Sequence, residues 1–300
     1  MAKADIAVLL ALSAALVSAA GSVIRQRSAQ EITDQPVGPW TLFLLSLRDG
    51  RWWLGGAAAV ANYSLQAAAL SLGSVILVTA LQVTVLLFAL PINARLTRHR
   101  VTPREWMWAV LLAGAVATVI TVGDPTQGQQ RASLGTWMAV AAVMGPALLL
   151  CALGARIWSG AVAAVLLAVV AGSSLALFAV LTKGVVEAGE GGAGALLRAP
   201  ELYAWLAMAL AGMVFQQAAF RAGALTASLP TMTMAKPVVA WILGITVLHE
   251  TLRADGPEVF ALAAAVTVVI VATAALARGE AAAMEARATA IPVEARRVTA

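Results

Sequence analysis

Nine runs of 18 to 25 predominantly apolar residues restrict what this chain can fold into more than any other feature. They are Ile6–Ile24, Trp52–Leu72, Ser74–Leu96, Glu105–Val122, Gly135–Ala155, Trp158–Thr182, Leu202–Phe220, Leu225–Leu248 and Val259–Ala277. A helix needs about 17–25 such residues to cross a bilayer. The runs are continuously apolar, without the alternation of barrel strands, so they read as membrane helices. Composition agrees, with 61% hydrophobic and 12% charged residues and a mean hydropathy of +0.87. Soluble chains hold about 45–50% apolar and about 25% charged residues, so a soluble enzyme, a disordered chain and a nucleic-acid-binding module are all excluded. The single cysteine, Cys151, lies in an apolar run and allows no intrachain disulfide. The stretch Trp40–Leu47 is apolar but too short to cross and reads as interfacial or re-entrant.

The 20 basic residues divide unevenly between the two faces that nine spans create. One face takes Arg25, Arg27, Arg48, Arg51, Arg95, Arg98, Arg100, Arg104, Arg156, Arg221, Arg278, Arg287, Arg296 and Arg297. The other takes Lys3, Arg131, Lys183, Arg198 and Arg253, and Lys236 falls inside a span. Basic loops stay cytoplasmic, which puts the amino terminus outside and the carboxyl terminus in the cytoplasm of a plasma-membrane protein. Trp40, Trp52, Trp53, Trp106, Trp108, Trp137, Trp158 and Trp205 lie at or near run ends, as an interfacial belt requires. Lys3, the first run and Ser18-Ala19-Ala20 also fit a cleaved signal peptide. The repeat described next disfavours that alternative, because cleavage would remove its first element.

At an offset of 151 residues, Ala20-Gly21-Ser22 aligns with Ala171-Gly172-Ser173, and Gln66-Ala67-Ala68 with Gln217-Ala218-Ala219. Spans one to four then match spans six to nine, with the fifth as connector. Mates five spans apart face opposite ways, which is the inverted repeat of many secondary transporters. The expected division is 1–134 for the first half, 135–156 for the connector, 157–277 for the second half and 278–300 for a cytoplasmic tail.

The stretch Gln216-Gln217-Ala218-Ala219-Phe220-Arg221-Ala222-Gly223-Ala224-Leu225-Thr226-Ala227-Ser228-Leu229-Pro230 resembles the drug/metabolite transporter superfamily. The run from Pro237 to Leu252, ending Leu248-His249-Glu250-Thr251-Leu252, resembles the helix that closes each half of its EamA-type members. Those usually have ten helices, and nine is closer to the NIPA-like branch. The resemblance covers nearly the whole chain and implies a fold more firmly than a substrate. Two departures stand out. The 151-residue mate of Glu250 is His99, and the magnesium associated with NIPA-like proteins would want carboxylate oxygens.

All fifteen acidic residues fall in loops, tails or run ends. That leaves Lys236, the twelfth residue of its run, as the ionisable group expected at depth, about 16 Å from the cytoplasmic end at about 1.5 Å per residue. A lysine there costs about 2.5–3.5 kcal/mol even on the lenient insertion scale. A water-filled cavity, a bound anion, a neutral amine or helix carbonyls would each satisfy it. Pro237 removes the helical partner of the Thr233 carbonyl beside it, Pro230 that of Thr226 and Pro91 that of Leu87. All three prolines are expected helix breaks, of the kind that mark transporter sites.

Asn62, Tyr63, Ser64 and Gln66, then Thr79, Gln82 and Thr84, then Gln216, Gln217, Thr231 and Thr233 are the other polar residues at depth. Each alone serves as well for interhelical hydrogen bonding. Together, Lys236, Thr233, Gln217, Gln216, Gln66, Asn62, Tyr63 and Gln82 form the expected substrate lining. Ala14, Ser18 and Ser22 read as a close-packing face. No catalytic constellation, metal cluster or cofactor motif is present in the sequence.

The expectation is an all-α integral membrane protein of nine transmembrane helices, arranged 4 + 1 + 4. It would be a secondary transporter, not an enzyme, moving a small metabolite or an anionic substrate, including a lipid, by alternating access. Lys236 would bind the anion or exchange a proton. A NIPA-like magnesium transporter and a non-transporting membrane scaffold are the alternatives. The expected partners are the substrate and the bilayer, with no nucleic acid, and no cofactor is called for.

Overall fold

A computed structural model describes residues 2–32, 50–97, 102–222, 225–253 and 256–298. Eleven helices account for most of them: α1 (Ala2–Ile32), α2 (Gly50–Leu72), α3 (Val75–Gln82), α4 (Val85–Thr97), α5 (Pro103–Thr121), α6 (Leu134–Ile157), α7 (Ala161–Glu190), α8 (Ala193–Arg198), α9 (Pro200–Arg221), α10 (Leu225–Thr246) and α11 (Glu258–Val298). All nine apolar runs fall on helices, the third divided between α3 and α4. Among the described residues eight helical segments are long and apolar enough to cross a membrane, which is the make-up of a multi-pass membrane protein. The helix α2 is long enough but falls outside the eight, because Asn62, Ser64 and Gln66 dilute its apolar character. Trp40–Leu47 and the repeat mate His99 lie outside the described residues.

Small residues set how closely the helices approach. In lipid, helix association depends on packing rather than on escape from water, so small side chains at contact faces bring backbones together. Ala7, Ala11, Ala14, Ala15 and Ala19 make the buried stripe of α1, which packs chiefly on α2. A Cβ on Gly21 would come within 2.8 Å of Ala58 on that helix. The central helix is α7, buried along most of its length and packed on both α9 and α10. There Gly172 serves the same end, since a Cβ on it would stand 2.7 Å from Ala235. The bundle is completed by α11, which packs on α5 and α10, while α6 meets it mainly through α7.

Pro91, Pro230 and Pro237, expected to break their helices, are carried within α4 and α10. A proline removes one hydrogen bond and kinks a helix, but the flanking bonds hold its helical dihedrals. The real interruption in the third run is at Val83–Thr84. There the Val83 and Thr84 amides bond three residues back, to Ala80 and Leu81, and the Thr84 hydroxyl donates to the Leu81 carbonyl at 2.6 Å. Val83, Thr84 and Val85 are β-branched and crowd a helical turn, which favours a break at that place.

Candidate functional site

Two polar centres lie inside the bundle. The first is a cavity of about 280 Å³ to which α1, α3, α4, α7, α9, α10 and α11 all contribute side chains. Lys236 lines it, half-buried, three residues after Thr233 and so on the same face of α10. Gln82 reaches it from the last residue of α3, at the interruption, and Gln216 from the final turns of α9. Ser18 and Thr273 complete the polar lining, together with Thr79.

The hydrogen-bonding state of these groups decides what the cavity can hold. The Thr79 hydroxyl is committed, donating to the Val75 carbonyl at 2.6 Å and accepting from Trp241 Nε1 at 3.0 Å. The Thr233 hydroxyl donates to the Leu229 and Pro230 carbonyls, both at 3.0 Å, and retains only accepting capacity. Gln82 Nε2 and Thr273 Oγ1 are buried with no partner among the described residues. No carboxylate lines the cavity, and no ion pair of the described residues includes Lys236. An ammonium beside unpaired amide and hydroxyl donors favours an anion or a strongly accepting oxygen.

Of the residues expected to line a substrate site, Lys236, Thr233, Gln216 and Gln82 are brought together. The other four are not. Gln217 is exposed, since one residue further along α9 turns the side chain about 100° away from Gln216. Tyr63 is also exposed and meets Phe178 edge-on, with ring centroids 5.5 Å apart. Asn62 and Gln66 are buried on α2 outside the cavity, with Asn62 Oδ1 and both Gln66 amide atoms unpartnered. Gln66 and its repeat mate Gln217 thus occupy unlike surroundings. Sequence reasoning passed over Ser18 and Thr273. Thr273 is a hydroxyl in the middle of an apolar run, and Ser18 was legible only as a small packing residue.

The second centre was not foreseen. Lys183 and Glu250 form an ion pair at 3.0 Å with both side chains fully buried. Glu250 also accepts the Val75 amide at 2.7 Å through Oε1 and the Ile76 amide at 3.0 Å through Oε2. The Ser74 hydroxyl accepts the Leu77 amide at 3.0 Å, so the first three amides of α3 are satisfied by two side chains. The positive end of the helix dipole adds to the attraction for the carboxylate.

In the sequence Lys183 falls just beyond the end of its run and Glu250 just beyond the end of its own, which leaves Lys236 as the charge expected at depth. Two features draw the pair inward. The helix α7 continues to Glu190, past the expected end at Thr182. Beyond α10, His249 takes φ +53, and this turn aims Glu250 back into the protein. A Cβ on Gly128 would run into the Leu248 carbonyl and stand 2.7 Å from the Glu250 amide, so only glycine lets this neighbouring segment lie against the turn. The same end of the bundle is tied by Thr126 to Thr251, through a 2.9 Å backbone bond and hydroxyls 2.6 Å apart. Arg131 and Glu201 add an ion pair at 2.6 Å, and Arg253 and Asp124 an exposed one at 3.6 Å.

No protein-family model matches the chain, and no solved structure matches it. An uncharacterized protein of Corynebacterium glutamicum is 36% identical over 279 residues, covering 91% of this chain and 95% of that one. The match covers nearly the whole of both chains, and the chain belongs to the same family as that corynebacterial protein.

Proposed function

We propose that this protein is a secondary transporter of the drug/metabolite transporter type, with Lys236 holding an anionic group of the substrate in the central cavity. The observation that carries this reading is an ammonium with no carboxylate partner, lining a cavity shared by seven helices and flanked by unpaired amide and hydroxyl donors. The interruption of the third run at Gln82–Thr84, on the cavity wall, adds support, because interrupted helices at a repeat interface are a recurring way to build such sites.

The proposal takes the nine spans as 4 + 1 + 4 in inverted repeat, in the plasma membrane, with the amino terminus outside. Three ion pairs support that arrangement of ends: Lys183–Glu250, Arg131–Glu201 and Arg253–Asp124 each join segments that the charge count assigns to the outer face. That face is the tied one. The cavity draws on the last turns of α9 and the first half of α10, nearer the opposite face. We read this arrangement as closed at the outer face, so that Lys236 would be reached from the cytoplasmic side. The divalent-cation reading is less well supported, since the lining offers an ammonium and neutral groups where magnesium wants anionic oxygens.

Flux in proteoliposomes tests the proposal. Vesicles containing the protein are loaded with labelled succinate, glutamate or inorganic phosphate, and matched vesicles with Mg²⁺. Protein-dependent exchange of one anion class is expected, reduced at least ten-fold by Lys236→Met. Magnesium flux that survives Lys236→Met, with no anion exchange, would replace the reading with the cation transporter. No flux of any probe, with a partner protein co-purifying, would favour the scaffold.

A further inference from the structure

A groove of about 340 Å³ lies between α6 and α9, floored by α7, and is separate from the Lys236 cavity. Its body is apolar: Val140, Met144 and Leu148 on one wall, Leu177 and Leu181 on the floor, and Met208 on the other wall. One end is polar. Glu201, 8% exposed, receives Arg131 Nε at 3.0 Å and Nη2 at 2.6 Å on Oε1, while Oε2 is buried without a partner. Trp137 Nε1, also lining this end, is a buried donor without a partner. One unused acceptor and one unused donor are therefore buried in the wall at one end of an apolar channel, a combination that burial penalises unless something bonds to both.

Three observations identify the occupant. Ala141, Gly145 and Ala204 in the groove wall are exposed, and the neighbouring surface of α6 is apolar, with Met138, Val143 and Leu150 each more than 60% exposed, so the groove opens sideways where lipid would lie. Trp137 and Leu148 are eleven residues apart, about 16 Å along the helix, and half of a ~30 Å hydrocarbon core is about 15 Å. The apolar channel thus matches the depth of one leaflet and puts its polar atoms at one interface. Arg131 neutralises Glu201, so the polar end calls for hydrogen bonding rather than for net charge.

We propose that this groove binds the acyl chain of a membrane lipid whose head group donates a hydrogen bond to Glu201 Oε2, through a hydroxyl or an ammonium. An oxygen of the same head accepts from Trp137 Nε1. A choline head has no donor hydrogen and meets only half of this pattern. The site is independent of the transport reading and stands or falls separately from it.

Native mass spectrometry of the delipidated full-length protein tests the proposal, with phosphatidylglycerol, phosphatidylethanolamine and phosphatidylcholine of identical chains as probes. At least five-fold greater retention of the glycerol or ethanolamine lipid over the choline lipid is expected. Trp137→Phe keeps the ring and removes the donor, and should reduce that preference to less than two-fold. A Cβ on Gly145 meets nothing within 4 Å, so Gly145→Leu should fill the groove without a clash and abolish retention. If Gly145→Leu fails to fold, Trp137→Phe still decides the matter. Equal retention of all three lipids by the native protein would overturn the proposal in favour of unspecific annular lipid. Unchanged retention in Gly145→Leu, or a dimer cross-linked through α6 with no lipid bound, would overturn it as well.

Discussion

The Glu250 carboxylate accepts two backbone amides and an ammonium while fully shielded from solvent. Among the described residues Lys183 has no other side-chain partner, so each member of the pair depends on the other. Removing one partner of a buried pair leaves an uncompensated charge and costs about 3–5 kcal/mol. Lys183→Met and Glu250→Gln should each destabilise the protein by about that much. The double variant should lose clearly less than the sum, as a denaturation double-mutant cycle would show. Additive losses would mean that the pair is not coupled. Lys236→Met should behave differently, because it removes an ammonium that no carboxylate neutralises, and the melting temperature without ligand should be maintained or should rise. Lys236 was legible in the sequence because a charge in the middle of an apolar run is conspicuous. Lys183 and Glu250 were not, because each stands at a run end where charges are expected, and they are 67 residues apart. The continuation of α7 past Thr182 and the turn at His249 together make them neighbours.

At the scale of single elements, α3 is a helix of eight residues whose start is held from outside by Ser74 and Glu250. Ser74→Ala removes the hydroxyl that accepts the Leu77 amide and should cost about 0.5–2 kcal/mol, readable as an earlier thermal transition by circular dichroism. The Gly128 contact is stricter, since a Cβ there would meet backbone atoms that cannot rotate away. Gly128→Ala should therefore lower the melting temperature more than Gly145→Ala, whose position is open. Equal effects would show that the turn around Glu250 is not tightly held. The apolar runs located the long apolar helices, since continuous hydrophobicity of bilayer length has few other outcomes, and among the described residues eight helical segments are long and apolar enough to cross a membrane. They could not locate the interruption in the third run. Pro91, Pro230 and Pro237 are the visible helix breakers in the sequence, whereas at Val83–Thr84 the helix tightens through backbone bonds and a threonine hydroxyl.

Over the whole molecule, one end is tied by ion pairs and by the Thr126–Thr251 bridge, and the cavity lies deeper in the bundle. If the protein works by alternating access, the tied end must part once per cycle. Residues facing each other across an antiparallel bridge have Cα atoms about 4.5–5.5 Å apart, within the span of a disulfide. Thr126→Cys with Thr251→Cys, in a Cys151→Ser background that removes the single native cysteine, should lock that end. Oxidation should abolish flux and reduction restore it, whereas undiminished flux in the oxidised protein would show that this end stays closed throughout transport. The central claim is that Lys236 receives an anionic group in the cavity, and ligand-dependent thermal stability of the native protein beside Lys236→Met tests it most directly. The panel would hold succinate, glutamate, inorganic phosphate, phosphatidylglycerol and Mg²⁺, each at high occupancy. A ligand at 100 times its dissociation constant adds about 2.7 kcal/mol. The account predicts that at least one anion raises the melting temperature of the native protein and leaves Lys236→Met unmoved. Equal stabilisation of both proteins by Mg²⁺, with no anion acting on either, would contradict it.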